Sequence, residues 1–252
     1  MKATQPRHRA PGGPSSKEAT DALSATAAGI QYDEQDWNDT SAMPAEAYWV
    51  SKVKAEREAW ACAKEYDLSV ATILPNFVLG PVALEGGKDS ASGSVSVGFL
   101  KKFVEASAAA PPPPGFWTIC DVRDVAEAHW RAAEIEAGAG ERFIISQPQT
   151  IDARFVTDAL KKRFGAGAAA VLPDGAAAGD EGRLRVVDGT KATKVLGLKY
   201  TDPADTVADM AASLLEKGVA EATWFGGEGG KGAEEEDEGA AVPVSAATKA
   251  AE

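Results

Sequence analysis

A tyrosine and a lysine four positions apart, Tyr48 and Lys52 in the stretch AYWVSKVKAE, carry side chains suited to proton transfer. Residues at this spacing lie one above the other on the same face of a helix. The phenol of tyrosine is a weak acid at neutral pH, and an ammonium group beside it favours the phenolate and lowers its pKa. Such a pair beside a cleft can donate a proton to a carbonyl, and its ammonium can also bind ribose hydroxyls. The spacing alone leaves open a second interpretation, two surface residues of a charged helix, because any such helix produces the pattern by chance.

The element that must position the pair is a helix, predicted from Glu46 to Tyr66. Apolar residues recur at helical spacing, at Trp49, Val53, Trp60 and Ala63, and Lys, Glu and Arg occupy the other side. This periodicity is typical of an amphipathic surface helix.

Downstream of this helix, short apolar runs alternate with helical patterns. The predicted strands are LSVATILP, GFWTIC, GERFIIS and the start of RVVDGTK. The predicted helices are VGFLKKFVEA, DVRDVAEAHWRAAEIEAG, TIDARFVTDALKKRFG and TDPADTVADMAASLLEKG. Asp121 or Asp124 is placed to cap the helix that starts at DVRDV. The alternation indicates an α/β fold with parallel strand pairing.

The composition excludes several classes of protein. A net charge of −12 argues against a nucleic-acid-binding protein, and two histidines make a His/Cys metal site improbable. Cys62 and Cys120 are predicted to be reduced, mostly buried thiols of a cytoplasmic protein. No apolar run approaches the roughly 20 residues of a membrane span. We therefore expect no nucleic acid, no metal and no membrane among the partners of this chain.

Both ends of the chain differ in composition from its middle. Residues 1–29 are basic and Ser/Ala-rich, which predicts a disordered lead-in and leaves a weak organelle transit peptide as the alternative. Residues 223–252 are Gly/Ala-rich and include EEEDE, Glu234 to Glu238, which predicts a disordered acidic tail. The folded domain is predicted to span residues 30–222.

Further motifs stand in order around the Tyr/Lys pair. They are Tyr32-Asp33-Glu34 with Trp37, then Tyr48, Ser51 and Lys52, then Ile73-Leu74-Pro75-Asn76, Val78-Leu79-Gly80-Pro81 and FWTICDVRDVAEAH. With these motifs the chain resembles the extended short-chain dehydrogenases/reductases of the NAD-dependent epimerase/dehydratase superfamily, in their dihydroflavonol reductase and cinnamoyl-CoA reductase-like branch. The resemblance implies a partial Rossmann-like parallel sheet with C-terminal substrate-binding helices. Residues 30–222 would form the C-terminal two-thirds of such a domain.

The resemblance also implies roles for individual residues. Tyr48 would be the catalytic acid/base, and Lys52 would lower the pKa of Tyr48 and orient the cofactor ribose. Ser16, in PSSKEA, would hold the substrate oxygen, although no apolar strand precedes it. The residues expected on the cofactor side are Pro75, against the nicotinamide, and Asn76, Phe77 and Val78.

The cofactor implied by the family is NADP(H), with NAD not excluded, and the implied substrate is a carbonyl or alcohol of a small organic molecule. Trp117 and the loop from residue 82 to 98 are where substrate choice would be set. The oligomeric state and the identity of the substrate cannot be read from the sequence.

The glycine-rich turn that binds the cofactor diphosphate in this family is not recognisable near the start of the sequence. The cluster GGEGGKG, residues 226–232, follows no convincing strand and opens no helix. We therefore predict that the N-terminal βαβ units are missing and that the strand at residues 68–74 has an exposed edge. Three functions remain open: an NADP-dependent reductase, a non-catalytic truncated relic that acts by binding, and a sugar-nucleotide epimerase or dehydratase.

Overall fold

The computed structural model describes residues 30–83, 93–176 and 185–225. The predicted lead-in with Ser16, and residues 226–252 of the predicted acidic tail, lie outside the described residues. Part of the loop assigned to substrate choice, residues 84–92, lies outside them as well. The region boundaries inferred from the sequence therefore stay predictions.

Short strands alternate with helices over the described residues. The strands are β1 (Ile30–Tyr32), β2 (Thr72–Pro75), β3 (Phe77–Leu79), β4 (Phe116–Asp121), β5 (Arg142–Ile145), β6 (Thr150–Asp152) and β7 (Arg185–Val187). The helices are α1 (Ala47–Glu65), α2 (Val95–Val104), α3 (Val122–Glu134), α4 (Ala153–Val171) and α5 (Pro203–Glu216), with a 3₁₀ turn at Glu136–Gly138 and a π-helical turn at Ala192–Leu196. The pairs β1–β7, β2–β5 and β3–β4 are parallel, and β4–β6 is antiparallel. The predicted α/β fold with parallel pairing is confirmed.

The chain changes its strand partner at Asn76. β2 lies beside β5, whereas β3, which follows directly after Asn76, lies beside β4. The Asn76 Nδ2 donates to Thr118 Oγ1 in β4 at 2.6 Å and to Ser146 Oγ, just after β5, at 3.3 Å. Its Oδ1 accepts from the backbone N–H of Phe77 at 2.9 Å. Asn76 therefore fixes the junction at which the two strand pairs meet.

Two apolar clusters hold the helices against the strands. The larger one packs α2, α4 and α5 on β3, β4 and β6, and it includes the fully buried Phe103 and Leu214. The smaller one packs α3 and the π-helical turn on β5, around Phe143 and Leu196. Helix α1 contributes to neither cluster, and Ala63 is its one buried apolar residue. The helix that carries the Tyr/Lys pair is thus attached to the domain by few apolar contacts.

The region around α4 differs from the sequence prediction at the start of the helix. The stretch TID, predicted as the start of this helix, forms β6, and α4 begins after Asp152, whose carboxylate accepts from the N–H of Phe155 at 2.7 Å. Gly165, the predicted end of the helix, has non-helical φ 69° and ψ −148°, so the first helical segment ends there and a second one continues beyond the kink to Val171. An aspartate cap therefore sets the start of the helix, and the glycine separates its two helical segments.

The two cysteines differ in accessibility, which gives a test of the packing. Cys120 is fully buried in β4, and burial raises the pKa of its thiol to about 12. Cys62 lies on α1 and is partly exposed. We expect a maleimide at mildly alkaline pH to modify Cys62 alone in the native protein and both cysteines after unfolding in urea, because the thiolate is the reactive form. Mass spectrometry counts the adducts, and rapid labelling of the folded Cys62→Ser variant at Cys120 would contradict the packing.

Candidate active site

Helix α1 presents the predicted catalytic pair near its start. The segment is rich in Ala, Lys and Glu, which are good helix formers. Tyr48 and Lys52 lie on one face, with the Lys52 Nζ 5.3 Å from the centroid of the Tyr48 ring. Tyr48 is 62% exposed and Lys52 is exposed as well. The structure therefore brings the two side chains together at the surface.

The polar ends of this pair are available to a ligand. Within the described residues, neither the Tyr48 hydroxyl nor the Lys52 ammonium has a hydrogen-bond partner. Ser51, between them in the motif, donates from its hydroxyl to the carbonyl of Tyr48 at 2.7 Å. A solvent-exposed phenol beside an ammonium group can exchange a proton with a bound carbonyl and donate to ligand hydroxyls.

The four residues predicted on the cofactor side occupy different environments. Pro75 is exposed at the end of β2. The Asn76 side chain is bound within the protein by the hydrogen bonds described above. The Phe77 ring packs edge-on against Phe99 with the centroids 5.1 Å apart, and Val78 packs on the smaller apolar cluster. The role of these residues towards a cofactor stays a prediction, and Ser16 lies outside the described residues.

A buried ion pair, which sequence reasoning missed, attaches α1 to the sheet. The side chains of Arg142 in β5 and Glu56 in α1 are 7% and 11% exposed, and Arg142 Nε donates to Glu56 Oε1 at 2.7 Å while Nη2 donates to Oε2 at 3.0 Å. Thr72 Oγ1 of β2 donates to the same Glu56 Oε1 at 2.8 Å. Burial alone would raise the pKa of Glu56, but the hydrogen bonds from Arg142 and Thr72 outweigh it and lower that pKa. The glutamate is therefore held ionised between two strands.

The acidic YDEQDW motif packs around the same arginine. The Trp37 ring lies under the Arg142 guanidinium, with 4.1 Å between the guanidinium carbon and the ring centroid. Arg142 Nη1 also donates to the carbonyls of Glu34 and Asp36. The Glu34 carboxylate accepts from the N–H of Ile144 at 3.0 Å, and burial raises the pKa of this carboxyl. The motif thus covers the edge of β5 that does not pair with β2.

The buried acidic groups elsewhere in the domain have structural partners. Asp121 is the N-cap of α3 and accepts from the backbone N–H of Arg123 at 2.7 Å and from its Nη2 at 2.7 Å. Asp124 accepts from Thr201 Oγ1 at 2.7 Å, and burial raises the pKa of this carboxyl. The Tyr200 hydroxyl donates to the carbonyl of Gly189 at 3.0 Å, and burial raises its pKa to about 12. This tyrosine is a buried structural group and contrasts with the exposed Tyr48.

Aromatic side chains form a partly exposed cluster beside β3 and β4. Phe99 on α2 is the centre, with its ring centroid 4.7 Å from that of Trp117 and 5.0 Å from that of Phe103. Phe77 joins it through the edge contact described above. Because Phe77 directly follows Pro75 and Asn76, the cluster begins two residues from the predicted nicotinamide contact.

The described residues contain no group of three or more His, Cys, Asp and Glu side chains that could hold a metal ion. Over the same part of the chain, no helix has the length and apolar character needed to cross a membrane.

Comparison with known proteins identifies the family. Residues 19–146, slightly more than half of the chain, match the NAD dependent epimerase/dehydratase family. The chain belongs to this family. The matched segment contains the Tyr48–Lys52 pair, β2 to β5 and the Arg142–Glu56 ion pair.

Several proteins similar to this chain are named as reductases. The NADPH-dependent methylglyoxal reductase GRE2 of Saccharomyces cerevisiae is 29% identical over 203 residues, which cover 74% of this chain and 57% of that protein. Dihydroflavonol 4-reductase of Medicago sativa is 44% identical over 55 residues, 20% of this chain and 25% of that protein. The structure of Gre2 with NADPH from Candida albicans has a TM-score of 0.65 at 25% identity and matches 75% of this chain and 58% of that one.

The structural likeness confirms the predicted partial Rossmann-like fold. The Saccharomyces cerevisiae and Candida albicans reductases each match about three-quarters of this chain. The chain spans between half and two-thirds of the length of either protein.

Proposed function

We propose that this chain is the catalytic part of an NADP(H)-dependent oxidoreductase that reduces a carbonyl, or oxidises the corresponding alcohol, of a small organic molecule. The observation that carries the proposal is the exposed Tyr48–Lys52 pair on one face of α1, in a member of the epimerase/dehydratase family. The NADPH dependence named for the yeast relative supports the choice of cofactor. The two free cysteines support a cytoplasmic location, since thiols stay reduced there.

In this proposal Tyr48 and Lys52 have different roles in the reaction. Tyr48 donates the hydroxyl proton to the carbonyl oxygen in reduction and takes it back in oxidation. Lys52 stabilises the phenolate that remains and donates hydrogen bonds to ribose hydroxyls. The bound nicotinamide cofactor supplies or accepts the hydride.

The described residues fit one part of such a cofactor. The exposed Lys52 ammonium, which has no hydrogen-bond partner among the described residues, suits the ribose, and exposed Pro75 offers a flat apolar contact at the end of β2. Among the described residues no glycine-rich turn opens a helix, so the diphosphate has no backbone cradle in this part of the chain. The proposal therefore assigns to these residues the ribose and nicotinamide end only.

A substrate screen tests the reaction class. We expect NADPH consumption with methylglyoxal and other aldehydes and no conversion of nucleotide sugars. Conversion of nucleotide sugars without aldehyde reduction would replace the reductase proposal with that of an epimerase or dehydratase, which the family name also covers.

A non-catalytic role is the second candidate, favoured by one observation. Within the described residues β2 pairs with β5 on one side only, so its other edge is free to accept a strand of another polypeptide. Turnover with any carbonyl substrate would argue against this candidate, and an inert chain that captures a partner would favour it.

Trp117 is expected to influence which carbonyl is reduced, because its ring packs on Phe99 beside β3. The Trp117→Ala variant should lose about tenfold in kcat/KM for bulky aldehydes, mostly through KM, and less for small ones. Steady-state kinetics with methylglyoxal and a bulky aldehyde measures this ratio. Trp130→Ala, at a site 63% exposed on α3, is the control and should change neither substrate. Equal losses for the two aldehydes would contradict a role in selectivity.

A further inference from the structure

We infer that Glu56 and Arg142 are positioning residues that hold helix α1 in register on the sheet and thereby aim the Tyr48–Lys52 pair. This inference rests on the proposed function. It concerns residues outside the Tyr-x-x-x-Lys motif, on two segments far apart in the sequence.

The spacing along α1 places the anchor on the same side as the pair. Tyr48, Lys52 and Glu56 are at successive positions four apart, and residues with this spacing form one row along a helix. A rotation of α1 that moves Glu56 away from the strands therefore moves the phenol and the ammonium in the same sense.

The weak apolar packing of α1 makes the anchor important. Ala63, near the C-terminal end of the helix, is its one buried apolar residue, and Tyr48 and Trp49 at the other end are mostly exposed. Surface ion pairs contribute little, so the exposed pair Arg57–Asp39 is a weak restraint. The bidentate, buried contact of Glu56 with Arg142 is the strong directional link near the Tyr48 end.

Arg142 is itself fixed on several sides. Its guanidinium contacts the Glu56 carboxylate, the carbonyls of Glu34 and Asp36, and the face of Trp37. A lysine has no planar fork and cannot reproduce these contacts together. Thr72 of β2 adds a bond to Glu56, so α1 is tied to both strands of the β2–β5 pair.

The test compares three variants with a matched control. Glu56→Gln keeps the side-chain volume and weakens the charged contact, Arg142→Met removes the partner, and the double variant removes the unpaired buried charge that Arg142→Met leaves. Glu58→Gln, an exposed glutamate two positions away on the same helix, is the control. Hydrogen exchange of peptides from residues 47–56 and from α5 is followed by mass spectrometry, together with kcat, KM and the melting temperature.

We expect exchange over residues 47–56 to accelerate about tenfold in Glu56→Gln and in Arg142→Met, with α5 unchanged, because local opening becomes easier. The kcat should fall by about ten- to a hundredfold with a smaller change in KM, since misplaced catalytic groups slow the chemical step. In the double variant the melting temperature should partly recover while exchange and kcat remain impaired. Glu58→Gln should match the wild type.

Unchanged exchange over residues 47–56 in both single variants would overturn the inference. So would faster exchange with an unchanged kcat, or a kcat that recovers in parallel with the melting temperature in the double variant, since the pair would then be structural only. If the wild-type chain neither binds NADPH nor turns over, the proposed function fails, and the exchange data still decide whether Glu56 and Arg142 anchor α1.

Discussion

Replacing Tyr48 with phenylalanine should reduce the rate of carbonyl reduction by about 10²–10⁴-fold, the usual contribution of a general acid. The substitution removes one hydroxyl group from an exposed side chain that has no hydrogen-bond partner among the described residues. Stability should therefore change by less than about 0.5 kcal/mol. NADPH affinity should also persist, because Lys52 is unaffected. Single-turnover kinetics, which isolates the chemical step, measures the loss.

Tyr66→Phe is the matched control for this prediction. Tyr66 follows the C-terminal end of the same helix and is 63% exposed, close to the value for Tyr48. Its hydroxyl lies outside the predicted pair, so the variant should keep full activity. A Tyr48→Phe enzyme as active as the Tyr66→Phe enzyme would show that Tyr48 transfers no proton.

The Asp121→Ala variant should lose about 3 kcal/mol of the free energy of unfolding. The carboxylate is fully buried, caps α3 and binds both the backbone and the side chain of Arg123. A lost N-cap costs about 1 kcal/mol, and removing one partner of a buried ion pair costs about 3–5 kcal/mol. The Arg123 side chain is 46% exposed, so the ion-pair contribution falls below that range, and the two contributions together amount to about 3 kcal/mol. Urea denaturation measures the loss.

Asp202→Ala is the control, because Asp202 caps α5 from an exposed position and accepts from the N–H of Ala204 at 2.8 Å. We expect it to cost about 1 kcal/mol. Equal losses in the Asp121 and Asp202 variants would contradict the importance assigned to the buried ion pair.

The contribution of Asp121 should also depend on pH. Burial alone would raise the pKa of this carboxyl, but the hydrogen bonds from the side chain and backbone of Arg123 outweigh it and lower the pKa. The unfolded chain then takes up the proton at a higher pH than the folded chain. The stabilisation is therefore present above the ordinary pKa of aspartate and is lost as the pH falls through the lower folded-state pKa. The difference in stability between wild type and Asp121→Asn should shrink over that acidic interval, and a constant difference would contradict this assignment.

Patterns within a single helix or strand were the most predictable features. The spacing of Tyr48 and Lys52 fixes their common face wherever α1 packs, so their proximity followed from the sequence. An aspartate cap for α3 also followed, because an aspartate before a helical run satisfies N–H groups of the first turn, and the structure assigns it to Asp121 rather than Asp124. Three-residue strands such as β1 and β6 were missed, since so short a segment carries little periodicity.

Long-range contacts were less predictable. Glu56 and Arg142 are 86 residues apart in sequence, and their pairing depends on how α1 crosses the β2–β5 pair. Two signals in the sequence could have indicated them: Glu56 continues the row of Tyr48 and Lys52, and Arg142 is a charged residue that opens an apolar strand. The bridging role of Asn76 likewise depends on the change of strand partner, which the apolar run NFVLG does not reveal.

The most direct test of the account is an NADPH titration followed by energy transfer from tryptophan, for which exposed Trp49 beside Tyr48 is a suitable donor. The account predicts saturable binding that weakens about tenfold or more in Lys52→Met, since charge-assisted hydrogen bonds are lost. Lys54→Met, an exposed lysine two positions away, should bind like the wild type. The absence of saturable binding, or equal affinities in the two lysine variants, would contradict the account.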